Sequence, residues 1–207
     1  MTALRLDDFG QYSDTLRLRG GQRVTVRFVE PRDAEALQGY FRTLSVGSRY
    51  NRLFGAASEL PRNVLDDFVD VGAGERFTVI ATMMVGGVEE IVAEARYAFD
   101  ADGASVEFGL SVADRWQGHG IGSALMKNLQ CRAAALGARR VFGDTLRSNS
   151  TMMQLARKSG FVFTQHPGDW KLVRFERHID AEPHQIPCAS WRLAAASRGL
   201  LPASLSN

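Results

Sequence analysis

Between Val106 and Leu136 the chain reads VEFGLSVADRWQGHGIGSALMKNLQCRAAAL, and residue types at this spacing could hold an anion near a carboxylate. Gln117, Gly118, His119, Gly120, Ile121, Gly122 and Ser123 form a loop whose three glycines on alternate positions allow a tight turn and leave backbone amides uncovered. If a helix begins there, its free N–H groups and its dipole favour phosphate oxygens. A dinucleotide-binding loop would need glycine where Ser123 stands, and a triphosphate-binding loop would need Gly-Lys-Ser or Gly-Lys-Thr, which is absent. The anion is therefore of another kind. Upstream, Glu107 puts a carboxylate on the same segment, a candidate for proton transfer.

The elements that must position these groups follow from periodicity. Val106, Phe108, Leu110 and Val112 alternate with Glu107, Gly109 and Ser111, which predicts a strand. Ile121, Ala124, Leu125, Leu129, Ala133 and Leu136 recur at helical spacing, which predicts a helix of about four turns starting at the loop. Further on, Met152, Leu155 and Ala156 share a helical face that Gly160 ends, with Asn149 suited to capping it. Arg23 to Val29 reads as a strand, Pro31 to Leu44 as an amphipathic helix, and Arg49 to Phe54 as a second short one. A further turn or two follows Pro61. Arg76 to Val85 and Val88 to Phe99 form a hairpin across Gly86-Gly87, and Arg139 to Asp144, Phe161 to Gln165 and Lys171 to Ile179 complete the strands. Strands first, then helix and strand in alternation, predict a mixed α/β sheet with helices on both faces.

The 207 residues, 45% hydrophobic and 23% charged, suit one soluble domain, drawn at 23–179 between an N-terminal extension (1–22) and a C-terminal tail (180–207). A formal charge of +2 without a basic run or aromatic-basic interleaving argues against a nucleic-acid partner. Two cysteines without C-x-x-C, and no His pair at ligand spacing, argue against a metal and for a reducing cytoplasm. No apolar run approaches the roughly 18 residues that would suggest a membrane span, and the N-terminus lacks a leader-like core.

Gln117-x-x-Gly120-x-Gly122 resembles the acyl-CoA pyrophosphate loop of the GNAT superfamily of N-acetyltransferases. Asn149 to Phe161, N-x-x-M-x-x-L-A-x-K-x-G-F, resembles that superfamily's second motif. Leu44 to Gly55, LSVGSRYNRLFG, is similar to a segment in the GNAT domain of bacterial protein lysine acetyltransferases of the Pat type that act on acyl-CoA synthetases, with Leu53 where Phe is common. The resemblance runs from about Val24 to Ile179, without the large synthetase-like domain of longer members, and so suggests the single-domain form. It implies a mostly antiparallel sheet of about seven strands and acetyl-CoA as co-substrate, with no metal. Gln117, Gly118, His119, Gly120, Ile121, Gly122, Ser123 and Asn149 would bind the acyl-CoA. If the loop holds the pyrophosphate, the pantetheine arm runs back along the strand toward Leu110 and Val112, whose backbone can pair with it.

Glu107 stands where many GNAT enzymes carry a glutamate base, with Glu94 its rival. A backbone N–H near Val112 is the expected donor to the thioester carbonyl. No tyrosine follows Tyr97, so the tyrosine acid that many relatives use has no counterpart here. Arg49 and Tyr50 would shape the acceptor entrance, or else simply build their helix. The expected reaction is acetyl transfer to a protein lysine, with an acyl-CoA synthetase as the acceptor that the resemblance suggests. A small-molecule amine acceptor and a non-catalytic acyl-CoA sensor are the alternatives, and oligomeric state is left open.

Overall fold

The computed structural model describes residues 13–18, 20–71, 76–100, 104–135, 137–180 and 188. Its strands are β1 (Asp14–Arg17), β2 (Arg23–Phe28), β3 (Arg76–Val85), β4 (Val88–Phe99), β5 (Ser105–Val112), β6 (Arg140–Leu146), β7 (Val162–Gln165) and β8 (Leu172–His178). Its helices are α1 (Ala34–Thr43), α2 (Val46–Leu53), α3 (Arg62–Val69), α4 (Ile121–Ala135) and α5 (Ser150–Lys158). The strands form one sheet in the order β1-β2-β3-β4-β5-β6-β8-β7, antiparallel throughout except for β5 beside β6.

That is one strand more than the expected seven or so. The extra strand, β1, falls in the segment read as an N-terminal extension and pairs with β2 from Asp14↔Val26 to Arg17↔Arg23. Polar chemistry holds it there: buried Asp14 accepts from Asn128 Nδ2 (2.8 Å) and Arg132 Nη2 (2.9 Å), both on α4. No hydrophobic alternation marks such a strand in the sequence.

Period-two alternation sends the two sheet faces into different cores. Val79, Ala81, Ala95, Val106 and Phe108 pack with Leu125, Leu129 and Ala156 under α4 and α5. Ile80 packs with Leu37, Phe41 and Phe68 from α1 and α3 on the other side. The β3–β4 hairpin closes through Gly86 and Gly87, both at positive φ (58° and 86°) as a two-residue turn of matching twist requires.

The central departure from a regular sheet lies between β5 and β6. They pair only at Ser105↔Arg140, Val106↔Val141 and Glu107↔Phe142; beyond that β5 stays with β4 as far as Val112, and β6 stays with β8 as far as Leu146. A wedge opens between them. Gly143 sits where they part, because a Cβ there would lie 2.6 Å from the Phe108 carbonyl oxygen and 2.7 Å from Phe175 Cζ.

Cys131 on α4 and Cys188 form a disulfide with Cα atoms 6.2 Å apart, a pairing that the expectation of a reducing cytoplasm did not include. Their separation of 57 residues hides it in the sequence. The rest of the tail beyond Asp180 lies outside the described residues. No described helix is long and apolar enough to cross a membrane.

Candidate active site

The loop takes the form its glycines allow. Gly118 and Gly120 adopt φ of 80° and 89°, and α4 begins at Ile121. Among the described residues, the amides of 118–123 donate to no protein acceptor, and the first loop-to-helix bond is Ala124 N–H to the Gly120 carbonyl. Six consecutive donors are thus free for an anion, with the dipole of α4 behind them. Gln117 contributes by its side chain instead: Nε2 donates to the Val112 carbonyl (3.1 Å) and ties the loop to the end of β5. The His119 ring contacts the Gln117 carbonyl through Nδ1 (2.9 Å) and sits edge-on to Trp116, an anchoring role.

Helix α5 packs against the first turn of α4. A Cβ on Gly122 would approach Leu155 Cδ2 to 3.2 Å, so glycine there permits the close packing. Asn149 caps α5, its Oδ1 accepting from the Met152 amide (3.1 Å), and its side-chain amide nitrogen remains for the groove that it lines. Capping and ligand contact, which the sequence presents as alternatives, are compatible here.

Along β5 the hydrogen bonds show which backbone groups face the wedge. Ala113 N–H donates to Val92 on β4, whereas the Ala104 carbonyl accepts from Arg140 on β6. By alternation, the groups of Phe108, Leu110 and Val112 point toward β6. Gln117 takes the Val112 carbonyl. The Leu110 N–H and C=O and the Val112 N–H therefore present an unpaired strand edge to the wedge.

On the α1–α3 face, Glu107 is exposed, flanked on neighbouring strands by Ala98 and Phe142. Arg174 lies within electrostatic reach: its hydrogen bonds to Asp144 (2.9 and 2.8 Å) raise its pKa most, and the Glu107 charge adds to that. Glu94 differs sharply. It is fully buried, receives two bonds from Arg52 (2.7 and 3.0 Å) and a third from the Ser111 hydroxyl (2.6 Å). Since Ser111 spends its proton on Glu94, the Tyr40 hydroxyl must donate to Ser111 (2.9 Å). Burial, and after it the Glu94 charge, push the Tyr40 phenol well up, so it stays protonated. Burial alone would lower Arg52, but Glu94 outweighs it and holds the guanidinium above its ordinary value. With both oxygens occupied and no solvent contact, Glu94 is a structural carboxylate and a poor base.

The segment Leu44 to Gly55 meets the groove with a different face from the one singled out. Arg49 donates to the Ala57 (2.8 Å), Arg42 (3.2 Å) and Leu44 carbonyls, stapling α2 to its surroundings, and Tyr50 is 45% exposed; neither lines the groove. Ser48 and Arg52, four residues apart, do line it. Arg52 lies against β5 at Gly109, where a Cβ would come within 3.1 Å of Nη1. The sequence cue for Arg52 was the need of inward-facing Glu94 for a cation. Asp114 accepts from the Ser45 amide (2.8 Å) and from the Ser45 (2.7 Å) and Ser48 (2.8 Å) hydroxyls, tying the start of α2 to the end of β5.

Comparison with known proteins agrees with this geometry. Residues 75–161 match the acetyltransferase (GNAT) family. An acetyltransferase of Pseudomonas aeruginosa is 27% identical over 152 residues, which cover 73% of this chain and 82% of that protein. The acetyltransferase Pat of Mycolicibacterium smegmatis is 27% identical over 151 residues, or 72% of this chain, but the match spans only 44% of that protein. The crystal structure of the GNAT domain of S. lividans PAT superposes with a TM-score of 0.74 at 27% identity, covering 81% of this chain and 97% of that domain. A glycine loop opening α4, a sheet split beside it and these likenesses lead to one conclusion: residues 75–161 carry the GNAT match, and the chain is similar to N-acetyltransferases over most of its length.

Proposed function

We propose that the chain transfers the acetyl group of acetyl-CoA to the side-chain amine of a protein lysine, with Glu107 as general base. The observation that carries this reading is the wedge between β5 and β6, with free loop amides at one end and an exposed carboxylate at the other. Amides 118–123 suit the pyrophosphate. The pantetheine arm would then lie along β5 as an added strand, pairing with Val112 and Leu110, with Asn149 beside it.

Glu107 is three residues from Leu110 and five from Val112, about 10 and about 17 Å along a strand. The thioester carbonyl therefore belongs at the Leu110 N–H, one step nearer the base than the Val112 region expected above. A ladder-held amide can polarise it without reorganising. Glu107 takes one proton of the lysine ammonium, the neutral amine attacks, the N–C bond forms, the second proton on nitrogen leaves to water, and the C–S bond breaks with its electron pair on sulfur.

The SRYNRLF segment and the likeness to Pat support a folded protein acceptor, and an acyl-CoA synthetase is the class we infer; cytoplasm is where such partners meet. Exposed Tyr50 is a candidate acceptor contact, with Arg49 holding its helix.

The test mixes radiolabelled acetyl-CoA, a panel of folded acyl-CoA synthetases and wild type, Glu107→Gln or Gly120→Glu. We expect label on a synthetase lysine with wild type, a fall of about 100-fold or more with Glu107→Gln at unchanged acetyl-CoA affinity, and loss of acetyl-CoA binding with Gly120→Glu. Turnover on small free amines alone would overturn the protein acceptor; acetyl-CoA binding with no turnover on any amine would overturn catalysis in favour of a sensor.

A further inference from the structure

We infer that the Thr145 hydroxyl is the hydrogen-bond donor to the sulfur atom that leaves, an inference that rests on the acetyl-transfer reading above. Thr145 is 2% exposed and lines the groove, yet its Oγ1 has no hydrogen-bond partner. Buried hydroxyls are seldom left unpaired, because removing one from water without a partner is costly. A group that binds in the wedge would supply the missing acceptor.

Register says which part of that group. The last ladder pair before the strands part is Glu107↔Phe142, and three residues further along each strand stand Leu110 and Thr145. Thr145 lies an even number of residues from Val141, whose side chain is in the core under α4 and α5, so it faces the same side. Its hydroxyl thus borders the wedge opposite Leu110, at the level assigned to the thioester. Glu107 lies on the other face of the sheet, with Arg174 and Asp144. Attack and departure would then occur on opposite sides of the wedge.

The chemistry asks for a donor there. As the tetrahedral intermediate collapses, the C–S bond breaks and its electron pair localises on sulfur, while one proton of the former ammonium sits on Glu107 and the other has passed from nitrogen to water. Thr145 keeps its own proton and donates a hydrogen bond to the developing thiolate, which water protonates after release. On α5 the fully buried residue against this face, Ala156, has no hydroxyl, the groove-lining Thr151 is exposed at the start of the helix, and no tyrosine follows Tyr97. A hydrogen bond to an ionised group is among the stronger kinds.

Thr145→Val removes the hydroxyl at nearly constant volume, Thr145→Ala is a second hydroxyl-free variant, and Thr145→Ser retains the donor. The expected result is a fall in kcat of about 10-fold for Val and Ala, with acceptor KM unchanged and Ser close to wild type. Binding gives a readout that a structural role would not move. At about pH 9, where a thiol is largely ionised, the hydroxyl-free variants should bind CoA about 10-fold more weakly than wild type but bind desulfo-CoA equally well. An unchanged kcat, or equal losses for CoA and desulfo-CoA, would overturn the assignment while leaving the acetyl-transfer reading intact. Failure of wild type to bind CoA at all would overturn both.

Discussion

Glu94 and Glu107 occupy the same sheet face, and burial separates their roles. Glu107 is exposed at the mouth of the wedge, whereas Glu94 is enclosed by Arg52 and Ser111. The Arg52 side chain is 14% exposed and that of Glu94 0%, so breaking the pair from one side strands a charge in the interior. Arg52→Ala should cost about 3–5 kcal/mol of stability, measured by denaturant unfolding, with Arg52→Ala/Glu94→Ala recovering part of the loss. Arg52→Lys should rescue poorly, because an ammonium cannot reproduce the two-pronged contact. Equal stability of wild type and Arg52→Ala would show that the pair contributes nothing. That Glu94 and Glu107 were the two candidate bases was legible in the sequence; that they share a face follows from the β4–β5 register. Which of them is free to take a proton was not legible, because the partner of Glu94 arrives from α2, 42 residues away.

At the scale of elements, α2 depends on its ends. It has no buried residue, and it is held by the Ser45 cap, by Arg49 and by Asp114. Burial alone would raise the Asp114 carboxyl, but the Ser45 amide and the Ser45 and Ser48 hydroxyls outweigh it and hold its pKa below the ordinary value of 3.8. A carboxyl lowered in the folded state stabilises above the unfolded pKa, and that contribution is lost as pH falls through the folded value. The attachment of α2 should therefore persist through the neutral range and loosen only below about pH 4. Followed by NMR, the Ser45 amide resonance should titrate with a midpoint below 3.8, and a midpoint at or above that value would contradict the account. A short helix was legible over Arg49 to Phe54 from Tyr50 and Phe54 at i and i+4, but the element runs Val46–Leu53 and leaves both aromatics exposed. Its rotational phase was not legible: Ser48 and Arg52 turn toward the groove because Asp114 and Glu94 pull them there, and these contacts join distant parts of the chain.

For the whole molecule, two long-range ties meet on α4: the Asp14–Arg132 pair joins β1 to it, and the Cys131–Cys188 disulfide joins Cys188 to it. A cross-link enclosing 57 residues should stabilise by about 4 kcal/mol through the restricted unfolded chain. Reduction, or Cys188→Ser, should thus lower Tm by about 10 °C in calorimetry, and an unchanged Tm would mean that the link adds nothing to the folded chain. Local order along the chain determined the strand, loop and helix that make the anion site, the hairpin at Gly86-Gly87 and the layering of helices on two sheet faces. Each of these depends on neighbours within a few residues, through periodicity, glycine conformation and free helix-end amides. Packing alone decided the parting of β5 from β6 at Gly143, the addition of β1, the enclosure of Glu94 and the orphaned hydroxyl of Thr145. These features arise where segments far apart in the chain compete for the same hydrogen bonds and the same buried space, which no local pattern encodes.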